Sequence, residues 1–143
     1  MEFYSGKIHT LIFNSQNGAG FWSKSFATKT LPAREKRFGK IFGFISIQSD
    51  DPKINLFIDY LIEQIKEHYS FGLKNEFAKR GVYDIEKIFE TTLQKTNISI
   101  AQYLQTEKIS LALNKMHVLI AVMRERNLYF TIQIGRASCR ERV

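Results

Sequence analysis

At Ser49-Asp50-Asp51-Pro52 the apolar residues of this chain change period. Before that point, across residues 40–48, Ile41, Gly43, Ile45 and Ile47 occupy one face while Phe42 and Phe44 occupy the other, which is the two-residue repeat of a buried β-strand. After it, Ile54, Phe57, Ile58, Leu61, Ile62 and Ile65 recur at spacings of three and four, the stripe of one helix face. A strand and a helix that meet so abruptly must bury their apolar sides against a common core. The junction supplies its own start signal, because Asp51 is placed to accept a backbone N–H bond as N-cap and Pro52 suits the first helical position. The pattern predicts a helix that ends near Tyr69, before Gly72.

A second helix is expected from Tyr83 or Asp84, with Asp84 as cap and Lys87 three residues on, so that no full capping box forms. Its stripe is Ile85, Ile88, Phe89, Thr92, Leu93, Thr96, Ile100, Tyr103 and Leu104. Two long helices joined by about a dozen residues make an antiparallel hairpin. The chain then returns to strand over residues 116–123, turns through Arg124-Glu125-Arg126-Asn127, and continues over 128–133. There Leu128, Phe130 and Ile132 face one way, and Tyr129, Thr131 and Gln133 the other. At the N-terminal end, residues 7–13 and 21–28 read as strands around the turn 14–20, most simply as a hairpin, and 31–39 as a basic polar connector.

The order of elements indicates an α+β domain: a largely antiparallel sheet with an antiparallel pair of long helices on one face, part of a layered sandwich. The opposite face matters as much. Val118, Ile120 and Val122 alternate with Leu119, Ala121 and Met123, so this strand is apolar on both sides. Leaving such side chains in water forfeits roughly 1.5–3 kcal/mol each relative to burial. Either a further sheet beyond residue 133 or the N-terminal strands folded across it should cover that face.

The last ten residues, 134–143, read Ile-Gly-Arg-Ala-Ser-Cys-Arg-Glu-Arg-Val and resemble a translated short-read sequencing adapter. That resemblance implies a natural sequence ending near Gln133, with residues 1–133 forming a single truncated domain and 134–143 a non-native tail. The tail holds Arg136, Arg140 and Arg142 against Glu141, so without it the net charge falls from +7 to +5. It also holds Cys139, the sole cysteine, which excludes disulfide and thiolate chemistry from the rest and points to a reducing, cytoplasmic setting. With 44% hydrophobic and 13% aromatic residues the chain can build a core. None of its apolar runs approaches the roughly 18 residues that span a bilayer.

Three stretches are similar to the N-terminal half of the metal-dependent, type 2C protein phosphatase domain. They are Lys40-Ile41-Phe42-Gly43-Phe44-Ile45-Ser46 as a first core strand, the helix from Phe89 to Ile100 with Leu93 and Asn97 in a Leu-x-x-x-Asn pattern, and the hairpin over residues 116–135. The resemblance implies a sheet flanked by a helix pair, and in active members paired divalent metals held by carboxylates. It also implies an Asp-Gly-x-Gly-Gly motif at the end of the first core strand. This chain reads Ser46-Ile47-Gln48-Ser49-Asp50-Asp51-Pro52 there, and Asn14-Ser15-Gln16-Asn17 where an early Asn-Glu-Asp element belongs. No metal ligand transfers. The expectation is a degenerate, phosphatase-like domain without catalytic residues, cofactor or metal, acting in regulation or through a protein partner.

Asp50 and Asp51 are adjacent carboxylates at a strand end, but helix capping accounts for them. His9, His68 and His117 share no ligand spacing that would hold zinc. Residues 14–20 lack the Gly-Lys-Ser/Thr ending of a phosphate loop. Lys24, Lys29, Arg34, Lys36, Arg37 and Lys40, with Phe21, Trp22 and Phe26, would form a basic aromatic surface if the chain were a nucleic-acid-binding module, the alternative from another class. A third alternative is a fragment of an active phosphatase whose ligands lie beyond Gln133.

Overall fold

The computed structural model describes residues 20–28, 38–80, 84–112 and 115–134. They form four strands and two helices: β1 (Phe21–Ala27), β2 (Lys40–Gln48), α1 (Ile54–Arg80), α2 (Ile85–Thr106), β3 (Met116–Arg124) and β4 (Asn127–Ile134). The sheet order is β1-β2-β3-β4, with every neighbour antiparallel. This is the α+β arrangement expected, with the helix pair on one face. Residues 1–19, including the expected strand at 7–13 and its turn, lie outside the described residues, as do most of the 31–39 connector and residues 135–143 of the tail.

The alternation of β2 sets the layers. Ile41, Ile45 and Ile47 are fully buried toward the helices, whereas Phe42 and Phe44 on the reverse side are half-buried. Register carries this division across the sheet. Trp22, Lys24 and Phe26 stand opposite Ile47, Ile45 and Gly43, and Val118, Ile120 and Val122 lie on the same helix-facing side. Phe26 therefore fills the space above a residue with no side chain. β4 gives the least to this core: Tyr129 and Thr131 face the helices, and Leu128, Phe130 and Ile132 face away.

On α1 the stripe Ile54, Phe57, Ile58, Leu61 and Ile65 is buried, extended by Tyr69, whose hydroxyl donates to the Phe38 carbonyl. The helix does not stop before Gly72 but runs on to Arg80, so only residues 81–84 separate it from α2. Gly72 packs against α2, where an added Cβ would come within 2.9 Å of Ile88 Cγ2. Glycine costs a helix about 1 kcal/mol relative to alanine, and close contact between the two helices offsets it. The residue read as a stop is a packing position.

The caps of α2 follow the sequence at one end and defy it at the other. Asp84 is the N-cap and accepts from the Lys87 amide at 3.2 Å. At the C-terminus Lys108 is left-handed, with φ 54°, and donates to the Gln105 carbonyl, while Ile109 donates to Leu104 at 2.9 Å. That pair of bonds is a Schellman motif with lysine where glycine usually sits. Buried Ile109 anchors it. Lys53 then reaches from the start of α1 to donate to the Glu107 carbonyl at 3.0 Å, placing a positive charge at the negative end of α2.

Two outcomes are expected from urea unfolding. Ile58 is 0% exposed and Leu56 is 63% exposed on the same helix, so Ile58→Ala should cost about 2–5 kcal/mol and Leu56→Ala no more than about 0.5 kcal/mol. Lys108→Gly, relieving the left-handed backbone, should raise stability by up to about 1 kcal/mol.

Candidate functional site

The end of β2 faces a polar cleft of about 270 Å³, lined by Gly20, Gln48, Ser49 and Asp50 on one side and by Ser110, Leu111, Ala112 and Lys115 on the other. Antiparallel pairing of β1, β2 and β3 brings these three chain segments to one edge. Ser49 closes β1 onto β2: its amide donates to the Gly20 carbonyl at 2.8 Å, and its carbonyl accepts from Trp22 Nε1 at 3.1 Å. Gly20 has φ +111°, a backbone that side chains disfavour, and a Cβ there would come within 3.0 Å of Asp50 Oδ1.

The two aspartates have different surroundings. Asp51 Oδ1 accepts from the Lys53 amide at 2.9 Å and its carbonyl accepts from Ile54 at 3.1 Å, so it closes the turn into α1 as the sequence implies. The helix itself begins at Ile54, with Pro52 and Lys53 in that turn. Asp50 is exposed at the cleft mouth. One carboxylate, the Lys115 ammonium and the Ser49 and Ser110 hydroxyls give the cleft polar character. They do not form a nucleophile with an adjacent base. Among the described residues no group of three His, Cys, Asp or Glu side chains could hold a metal ion.

The basic, aromatic region near the N-terminus is not assembled into one surface among the described residues. Trp22 and Phe26 face the helix layer, and Lys24 sits on that side too, 2.5 Å from Asp59 on α1. Phe21 is exposed on the reverse face. Lys29, Arg34, Lys36 and Arg37 lie outside the described residues. His117 is exposed on β3, and His9 lies outside the described residues.

What the sequence reading missed is a seam on the outer side of the helix pair. Tyr60 stacks on Tyr103 with ring centroids 4.3 Å apart, His68 Nε2 and Ser99 Oγ share a hydrogen bond at 3.2 Å, and the Lys95 ammonium lies 4.5 Å from the centre of the Phe71 ring. Near the loop, Lys87 meets Glu76 at 3.5 Å. The numbers in each pair add to nearly the same value, as they must across antiparallel helices. Aligning the two buried stripes would have exposed this register. A serine beside a histidine suggests nucleophile and base, but among the described residues no third group orients the imidazole through its other nitrogen.

No family model, curated protein or solved structure matches the chain. No described helix is long and apolar enough to cross a membrane.

Burial, and then the nearby Lys95 charge, hold the His68 imidazole below its ordinary pKa of 6.5, against an opposing pull from Glu67. The folded chain therefore binds fewer protons at this group than the unfolded chain near that pH. Its contribution to stability is complete above 6.5 and is lost as pH falls through that value toward the folded pKa. The urea midpoint should drop between about pH 7.5 and about pH 5.5, and His68→Gln should shrink that drop.

Proposed function

We propose that this domain is a non-catalytic, phosphatase-like module acting in regulation or protein interaction. The observation that carries the reading is the end of β2. In the family that the strand, helix pair and hairpin resemble, a metal-binding aspartate and a run of glycines stand at this place. Here Gln48 and Ser49 close the strand pair, and the Asp51 carboxylate accepts from the Lys53 amide at the turn into α1. A carboxylate engaged at a helix start has its lone pairs directed at backbone donors, whereas a metal site needs several oxygens converging on one point.

The element order supports the same reading, with β2 leading into α1 and α2 and then into the β3–β4 hairpin. The cleft beside Asp50 offers polar contacts without a reacting pair, which suits recognition more than turnover. With the sole cysteine, Cys139, in the tail, residues 1–133 hold no thiol for a disulfide, which supports a reducing, cytoplasmic setting as part of this reading.

The test is an assay of the purified chain with manganese or magnesium and p-nitrophenyl phosphate. Hydrolysis at the buffer rate is expected, and Asp51→Ala should lower stability by about 1 kcal/mol through the lost turn contact without altering that rate. Metal-dependent hydrolysis that disappears in Asp50→Asn or Asp51→Asn would overturn the proposal.

A further inference from the structure

Two contacts of the outer helix seam are neighbouring rungs. His68 and Phe71 stand three residues apart on α1, and Lys95 and Ser99 four apart on α2, so each pair shares one face of its helix a turn apart. Across the seam His68 Nε2 and Ser99 Oγ share a hydrogen bond at 3.2 Å, and the Lys95 ammonium lies 4.5 Å from the centre of the Phe71 ring. The four side chains therefore form a closed set of neighbours. One of them is a cation, and another becomes one when it takes up a proton.

Charged groups from both helices act on the imidazole. Lys95 of α2 opposes a positive charge there, and Glu67 of α1 favours one. Glu67 is exposed and accepts from the Gln64 side-chain amide on its own helix at 3.5 Å. Burial, and then Lys95, outweigh it, so the ring takes up its proton below the ordinary value of 6.5.

Protonation does not break the first rung. A serine hydroxyl can accept from an imidazolium N–H as well as it can bond the neutral ring, so Ser99 keeps the new charge in the seam. The second rung gives way more easily. Phe71 is 55% exposed, and a cation over an exposed ring is held only weakly. Lysine reaches the ring on a flexible four-carbon stem and can carry its ammonium into water without moving the helix. Relief of the repulsion between two cations thus falls on the contact between Lys95 and Phe71.

We propose that the outer seam is a pH-sensitive latch: proton uptake by His68 expels the Lys95 ammonium from the Phe71 ring and uncovers that ring on the helix surface. The helix pair stays in register through its buried inner stripes. The latch is independent of the phosphatase-like reading and of the cleft at the end of β2.

The test is an NMR titration of the full chain from about pH 7.5 to about pH 5, with circular dichroism recorded alongside. The His68 ring signals, assigned by their loss in His68→Gln, give the midpoint of proton uptake. The Lys95 ε-methylene protons report the second rung, because an aromatic ring current shifts protons above its face upfield and lysine does not change charge in this range. At the high-pH end they are expected upfield of their position in Phe71→Leu. They should move toward that position with the His68 midpoint while the helical signal holds, and the movement should vanish in His68→Gln. By reciprocity, Lys95→Met should raise the proton affinity of His68 about twofold or more. Should His68→Gln lose the helical signal at the high-pH end, the Lys95→Met arm and the coincidence of midpoints in the unaltered chain decide. The latch is refuted by Lys95 protons that do not move with the His68 midpoint, by movement that persists in a folded His68→Gln chain, or by a His68 midpoint unchanged in Lys95→Met. Loss of the helical signal over the same range would refute it as well.

Discussion

The helix-facing side of β2 is the surface on which the remaining elements depend. Its three isoleucines, at positions 41, 45 and 47, have no solvent exposure, and its backbone is bonded to β1 on one side and β3 on the other. A strand held in this way has a fixed register, because a slip of one residue would turn the isoleucines outward and bring Phe42, Phe44 and Ser46 inward. The neighbouring strands inherit that register. Phe26 lies opposite Gly43, and Val118 and Ile120 complete the same layer.

Above this layer the helices divide their labour between two sides. Their inner stripes supply apolar burial through Phe57, Ile58, Leu61, Ile88 and Phe89. The outer seam adds ring stacking, one side-chain hydrogen bond and a cation over a ring, each worth on the order of 1 kcal/mol or less. Such contacts add little to the total but favour one alignment of two helices whose apolar stripes could tolerate a shift. Lys53 and the Schellman turn at Lys108 fix the same alignment at the far end.

Much of this was legible because it rests on local chemistry. The bounds of β2, the inward and outward sets of residues, the Asp84 cap and the doubly apolar β3 all follow from spacing and residue type. Gly72 was misread because its cost to a helix is local, whereas the compensation, contact with Ile88, comes from a residue sixteen positions away. Lys24 and Trp22 showed the same limit. Local spacing does not give the partner of Lys24, which is Asp59 on the helix above, or that of the Trp22 ring N–H, which is the Ser49 carbonyl across the strand pair. Around the cleft, the sequence identified Asp50 and Asp51 but could not show that Ser110 and Lys115 arrive from the other side.

The link between Lys53 and Glu107 has a kinetic side. β2 must find β3 across the whole helical hairpin, with Gly43 set against Ile120, and closing so long a loop from an open chain is entropically slow. A bond that ties the turn before α1 to the end of α2 brings the two strands' entry points together as soon as the helices pair. The search between β2 and β3 then begins from neighbouring ends, so the helical hairpin acts as a splint that turns a distant encounter into a local one.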